Sequence, residues 1–355
     1  MKTAVKQKDI AAALGLSIST VARALAGSPR IGRETTERVR LEAEKRGYVV
    51  DQSARAIRQG TSSLVGLIAP DLQNDFYATV ARALSERCRE RGLQLVVAVS
   101  NDDGATELHH VRNLYASRAR GIVVIPSIEM ATESRRLLST LPHVQLVRHC
   151  NKLSSDWFGV ADEEAMRLGV AHLAALGHRR IAYIGSSLSM STGVLRLQGF
   201  RRALREQGLD PTTAAAEVGG CSVESGHAAM ANLLSLRSRP TGVVLAGARI
   251  TDGAYACARE RGVLIPDELS FVGFSDAPAY RWWGSGLTTI ALPVEEIATA
   301  ALECLLRRGE PGGATPERPV QVMHRPTLVQ RGSTAAPASG RARRPLRQER
   351  AVQAG

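Results

Sequence analysis

Ala13-Leu14-Gly15-Leu16-Ser17-Ile18-Ser19-Thr20-Val21-Ala22-Arg23-Ala24-Leu25 is the stretch whose reading decides the fold of the N-terminal block, Ile10 to Ile57. Ile10, Ala11 and Leu14 fall on one face of a helix over about Lys8–Leu14. Gly15 suits a left-handed turn after it. Ser17 is a good N-cap, with its hydroxyl available to the amide of Ser19 or Thr20. In the helix that follows, Val21, Ala24 and Leu25 face inward, while Ile18, Ser19, Ala22 and Arg23 face out. Gly27, Ser28 and Pro29 close it. A third helix is expected over about Arg33–Arg46, with Val39 and Ala43 inward and Gly47 at its end. Two short helices joined through a Gly, the second opening on a Ser, have the form of a helix-turn-helix. In that motif the start of the second helix enters the major groove, and an Arg there can pair with guanine O6 and N7.

Charge supports the same reading. The chain has 355 residues and a formal net charge of +12. Residues 1–60 hold 12 Lys/Arg against 6 Asp/Glu, and residues 331–355 hold 6 Arg against 1 Glu. The body between is close to neutral. A basic end on a neutral body points to nucleic acid rather than to an acidic substrate. The tail from Arg331 lacks periodicity and is expected to be disordered; its Arg341, Arg343 and Arg344 could add non-specific phosphate contacts. Cys88, Cys150, Cys221, Cys257 and Cys304 are scattered and odd in number, which fits reduced thiols in a cytoplasmic protein. The first residues carry no apolar run behind their lysines, so no secretory signal is expected. No transmembrane helix is expected either.

From Ser63 the pattern changes. Apolar runs at 64–69, 93–98, 121–126, 144–147, 181–185, 242–246 and 269–274 read as buried strands. Helical stretches at 76–91, 105–117, 133–140, 162–176, 194–207, 223–236 and 253–261 separate them. Such alternation predicts parallel sheets covered on both faces, in two doubly wound halves. Ligands in such sheets sit beyond the carboxyl ends of the strands. Those ends are Asp71, Arg148, Gly185–Met190, Gly247–Arg249 and Ser275-Asp276. Residues 52–60 are too short for a stable lone helix. They suit either a linker or a segment that folds on contact with DNA, with Ile57 as a minor-groove wedge.

Many short motifs, in order over about residues 7–330, resemble the lac repressor (LacI/GalR) family of bacterial transcription regulators. They include Lys8-Asp9-Ile10-Ala11, the run Leu16–Gly27, Gly47-Tyr48, Ala54-Arg55-Ala56-Ile57-Arg58, Asn74-Asp75-Phe76-Tyr77, Leu176-Gly177-His178-Arg179-Arg180 and Pro266-Asp267-Glu268-Leu269-Ser270. The resemblance implies an all-α helix-turn-helix headpiece (1–50) and a hinge helix (51–61). It also implies an α/β core of two periplasmic-binding-protein-like subdomains (62–330), followed by the basic tail (331–355). Within the core, 62–160 plus 291–320 would form one half and 161–290 plus 321–330 the other. A homodimer would bind a pseudo-palindromic DNA operator, and a small effector between the core halves would bias the hinge. The tail has no leucine heptads of the kind that build tetramers.

Carried over by position, the DNA-binding residues are Ser17, Ile18, Ser19, Thr20, Arg23, Arg55, Ile57 and Arg58. Ile18, Ser19 and Arg23 are the base readers, and Thr20 supports the backbone contact. Ile57 stands where the family has a Leu wedge, and Ala22 where it commonly has Ser. The effector-binding residues are Asp71, Phe76, Tyr77, Arg148, Met190, Thr192, Arg196, Cys221, Arg249, Ser275 and Asp276. Several depart from the family pattern. Arg148 replaces an Asp, Gly247-Ala248 an Asn-Asp pair, Ser275 the first of two acids, and Met190 an Arg. Acceptors for sugar hydroxyls are lost, and Arg148 and Arg249 offer donors suited to a carboxylate or phosphate. The expected effector is therefore an anionic sugar acid or other organic acid. Trp282-Trp283 could stack on a sugar ring or pack beneath a loop.

Two other classes compete. A periplasmic-type binding protein would explain the body but not the basic headpiece. An enzyme on a doubly wound fold would need a phosphate loop, a nucleophile elbow or a metal-spaced His set, and none is present. No cofactor is expected, and His109-His110 reads as exposed helix surface.

Overall fold

The structure, a computed structural model, describes residues 5–25, 27–48, 62–309 and 318–337. The expected hinge residues Arg55, Ile57 and Arg58, and the tail from residue 338, lie outside them. The chain divides into two compact units, Met1–Ser62 and Ser63–Gly355.

In the first unit, α1 (Gln7–Leu14), α2 (Ile18–Leu25) and α3 (Arg33–Lys45) close on a small core of Ile10, Ala11, Val21, Ala24, Val39 and Ala43. Gly15 holds φ +65° between α1 and α2, a conformation that costs a residue with a Cβ. Ser17 caps α2 as expected: its Oγ accepts from the Thr20 amide at 3.0 Å.

The second unit carries two six-stranded sheets. The first half contains β1 (Leu64–Ala69), α4 (Asp75–Glu90), β2 (Gln94–Val99), α5 (Gly104–Ala116), β3 (Gly121–Val124), α6 (Thr132–Leu138), β4 (His143–Leu146) and β5 (Asp156–Val160). The second half contains α7 (Asp162–Ala175), β6 (Ile181–Ser186), α8 (Ser191–Glu206), β7 (Ala216–Gly219), α9 (Val223–Ser235), β8 (Gly242–Ala246), α10 (Ala248–Glu260), β9 (Ser270–Phe274) and β10 (Thr288–Ala291). The chain then returns. α11 (Val294–Arg308) packs on the first half, β11 (Gln321–His324) joins its sheet, and β12 (Thr327–Val329) joins the second. The strand orders are β11-β5-β4-β3-β1-β2 and β12-β10-β9-β8-β6-β7. All pairings are parallel except β10 with β12. The β1 strand is buried over Val65–Ala69, as a strand covered by helices on both faces should be.

Two expectations on the return path are corrected. Residues 321–324, expected in the second half, pair in register with Trp157–Val160 of the first sheet. Their alternation of exposed and half-buried residues is that of an edge strand, and the crossing comes only at Arg325-Pro326. Ala291, assigned to the first half, stays with the second as the last residue of β10. Helices also start earlier than their apolar periodicity suggested: α8 at Ser191 rather than Val194, and α10 at Ala248 rather than Gly253. Arg249 therefore lies on a helix, not on a strand-end loop.

Candidate functional site

The first unit presents one face of α2. Val21 and Ala24 are buried, and across the helix Ile18 is 55% exposed, with Ser19 and Arg23 also exposed. A large aliphatic side chain in water beside a hydroxyl and a guanidinium is a surface without a packing role in the fold. Ser17 is occupied locally, with its Oγ 2.9 Å from the Ser19 Oγ and 2.8 Å from the Thr20 Oγ1. Of the expected DNA-binding residues, this face brings together Ser17, Ile18, Ser19, Thr20 and Arg23.

In the second unit, a cavity of about 530 Å³ opens between the two halves. The loops Pro126–Met130 and Arg148–Lys152 line it with Arg135 from the first half, and Leu188–Ser191 with Val194 from the second. Arg148 follows β4 at a strand carboxyl end and is buried. Its Nη1 donates to Asp102 Oδ1 at 2.6 Å and to the Pro126 carbonyl at 3.4 Å. Burial works against the Arg148 cation, but the Asp102 carboxylate beside it holds it charged. Burial pushes the Tyr77 phenol and the Cys221 thiol up, opposed by Arg148. Asp71 Oδ1 accepts from the Asn74 amide at 2.8 Å, which fixes the turn into α4.

Arg196, on α8, is buried and paired. Its Nε donates to Asp162 Oδ1 at 2.6 Å and its Nη1 to the Ala246 carbonyl at 2.9 Å. The guanidinium lies 4.1 Å from the Phe274 ring centre, within cation–π range. Met190 is the residue before α8 and lines the cavity; Thr192, the second residue of α8, is buried. Phe76 packs edge-to-face on Tyr77 in the core of the first half.

The remaining expected residues divide. Ser275 is buried at the end of β9 with φ +68°. Asp276 is turned away from the role expected of it. Its carboxylate takes Arg331 Nη1 at 2.6 Å, Arg331 Nη2 at 2.9 Å and the Thr289 hydroxyl at 2.9 Å, so it is paired within the second half. Arg249 reaches Gln73 Oε1 of the first half at 3.3 Å and Asp252 Oδ2 at 3.7 Å, so it ties the two halves together. Trp283 stacks on Tyr255 with ring centres 4.9 Å apart, the packing alternative, while Trp282 is 75% exposed.

Sequence reasoning missed Asp102, whose charge offsets Arg148. It also missed Ser127, Arg135, His149 and Lys152 on the cavity wall. Ser127 lies against the buried Glu107, whose Oε2 accepts from the Ser127 amide at 2.7 Å. Their signal was present: both loops follow strand carboxyl ends, where ligands bind in this architecture. Among the described residues there is no metal-binding cluster and no helix long and apolar enough to cross a membrane.

A profile described as a periplasmic binding protein-like domain matches residues 170–334. The HTH-type transcriptional regulator MalR of Streptomyces coelicolor is 31% identical over 345 residues, covering 94% of this chain and 98% of that protein. The HTH-type transcriptional regulator GalR of Escherichia coli K12 is 28% identical, covering 93% and 96%. A solved structure of the lac repressor dimer bound to operator and an anti-inducer has the same fold, with a TM-score of 0.82. It is 24% identical and covers 94% of this chain and 100% of that one.

Proposed function

The chain belongs to the lac repressor (LacI/GalR) family of DNA-binding transcription regulators, and we propose that it is a cytoplasmic repressor whose operator affinity is set by a small organic anion. The exposed α2 face carries the DNA reading. Ile18, Ser19 and Arg23 stand outward on a helix whose other face is sealed by Val21 and Ala24. Arg23 reads a guanine, Ser19 a second base edge, and Ile18 makes an apolar contact, while Thr20 supports the backbone. Two such headpieces in a homodimer would read adjacent half-sites of a pseudo-palindrome. Arg55, Ile57 and Arg58 belong to the proposed hinge contact.

The cavity between the halves carries the effector reading. Arg135, Arg148 and Lys152 line it against one carboxylate, Glu129. The effector is accordingly a sugar acid or other organic acid. Of the expected effector residues, Arg148 and Met190 line this cavity; the reading extends the site from Arg148 to Asp71, Tyr77, Thr192 and Cys221. Arg249 senses closure of the halves through Gln73. A ligand that fits only one degree of closure shifts the equilibrium between conformers by its differential affinity.

Footprinting on the upstream region of the chain's own gene tests the DNA reading. A two-fold protected site of about 16–20 base pairs is expected, weakening steeply with salt. Salt-insensitive binding, or none, rejects it. Operator titration against a panel of sugars and acids tests the effector reading, which fails if only neutral sugars change the affinity.

A further inference from the structure

We infer that the end of the first half at which the chain enters it is a second DNA-binding surface, one that holds the sugar–phosphate backbone without reading sequence. The inference rests on the chain being a DNA-binding regulator and is independent of the effector. Two backbone bonds mark the entry point: the Gln94 amide donates to the Ser63 carbonyl at 2.9 Å, and the Arg120 amide to the Leu64 carbonyl at 2.7 Å. Three segments meet at this end: the close of α4 with its turn into β2, the turn from α5 into β3, and the close of α11. Over residues 87–93, 118–120 and 303–308 they hold seven Arg against two Glu, on a body that is close to neutral as a whole. Such segregation is the footprint of a nucleic-acid contact.

The surface is concave. A hollow of about 450 Å³ is lined by Arg91, Arg120 and Arg307, with Leu93, Leu306 and one carboxylate, Glu303. Glu303 lies 3.6 Å from Arg91 between exposed side chains, a pair that contributes little. The side chains of Arg120 and Arg307 make no hydrogen bond or ion pair among the described residues, and Arg120 Nε is buried without an acceptor. An unsatisfied buried donor calls for a role outside the packing. Helix ends explain only part of the cluster. Arg89 and Arg307 lie in the last turns of α4 and α11, where a cation is favoured, but Arg120 belongs to no helix and directly precedes β3. Guanidiniums spaced around a hollow suit phosphate oxygens. The position makes the occupant DNA. From Ser63 the chain leads back over 14 residues, 49–62, to the helix-turn-helix. Fully extended, that tether spans about 50 Å, so a headpiece on its operator keeps this end of the core near the same duplex. Individually weak contacts then become intramolecular and count.

Fluorescence anisotropy on the full chain across a range of salt tests this, with a duplex carrying the footprinted site and a scrambled duplex. Arg120→Gln combined with Arg307→Gln should lower the slope of log affinity against log salt by about two on both duplexes, and leave the ratio of the two affinities unchanged. Arg307→Glu should weaken both duplexes and Glu303→Gln should strengthen both; these two positions are exposed, so they carry the test if the Arg120 variant fails to fold. Arg205→Glu, exposed on α8 of the second half, is the charge-matched control and should leave the slope as it is. An unchanged slope in Arg307→Glu, with the operator still bound, overturns the surface and leaves the DNA-binding reading standing. An equal change in Arg205→Glu overturns it as an effect of net charge, and a loss confined to the operator duplex overturns it because a backbone contact is blind to sequence. Calorimetry with inorganic phosphate is the last arm: saturable binding that Arg307→Glu abolishes, with affinity for DNA unmoved, overturns DNA as the occupant in favour of a free anion. Failure of the parent chain to bind either duplex overturns both readings.

Discussion

Arg196 and Asp162 form a buried ion pair, Nε to Oδ1 2.6 Å, that joins α8 to the first residue of α7. Burial pushes the Asp162 carboxyl up, and Arg196 pulls it back. The guanidinium also holds the end of β8 through Ala246 and covers Phe274. Arg196 therefore acts first on the architecture of the second half. Arg196→Met should cost about 3–5 kcal/mol, because it strands a buried carboxylate. A group whose folded pKa is raised adds stability that is present at low pH and lost as pH rises through that pKa. The deficit of the variant should thus be largest near neutrality and shrink toward about pH 4. Urea denaturation across that range checks it; a deficit independent of pH would mean that lost packing dominates.

Asp276 makes the opposite case. Burial alone would raise its carboxyl, but Arg331 and Thr289 hold it below the usual range. Its contribution is present above the unfolded pKa, near 4, and is lost as pH falls through the folded value. Asp276→Asn should destabilise the chain at neutral pH by about 1–3 kcal/mol and flatten the acid limb of its stability profile. The effector affinity of the variant should match the parent. A loss of effector binding larger than the loss of stability would return Asp276 to the cleft.

These two residues mark how far the sequence could be read. The helix-turn-helix was legible because its determinants are local: Gly15 for the turn, Ser17 for the cap, and a short apolar period. The long buried strands were legible as apolar runs. β5 was not, because it opens on a buried Asp156 whose reason is distant. That carboxylate is held by Arg308 Nε and Nη2, both at 2.6 Å, and by the Val320 amide at 2.7 Å. The cleft shows the same limit. Arg148 could be placed at a strand end, but its neutralisation by Asp102 and the engagement of Asp276 by Arg331 are tertiary contacts that no spacing announces.

For the headpiece, Arg23→Ala should weaken operator binding by about 1–3 kcal/mol and relax specificity at one base position. Affinity for random DNA should change little. Ser17→Ala should act differently, removing the α2 cap at about 1 kcal/mol of stability, and weakening both kinds of DNA together. Fluorescence anisotropy with operator and scrambled duplexes separates the two. Equal losses on both duplexes for Arg23→Ala would make that residue a phosphate contact.

Asp102→Asn should strengthen the binding of an acidic effector. Asp102 sits at φ +58°, a left-handed conformation that Asn tolerates as well as Asp does. The amide oxygen can still accept from Arg148 Nη1 across the 2.6 Å contact, so the geometry is kept while one negative charge leaves the cleft floor. Arg148 is buried and so is poorly screened by salt. Its uncompensated charge should then raise affinity for an anion by about threefold to tenfold. Affinity for a neutral sugar should not follow. Calorimetry with an acid and its neutral analogue checks this: equal gains for both would mean that the substitution altered closure of the halves, and a loss for the acid would mean that the Asp102 carboxylate itself accepts from the ligand.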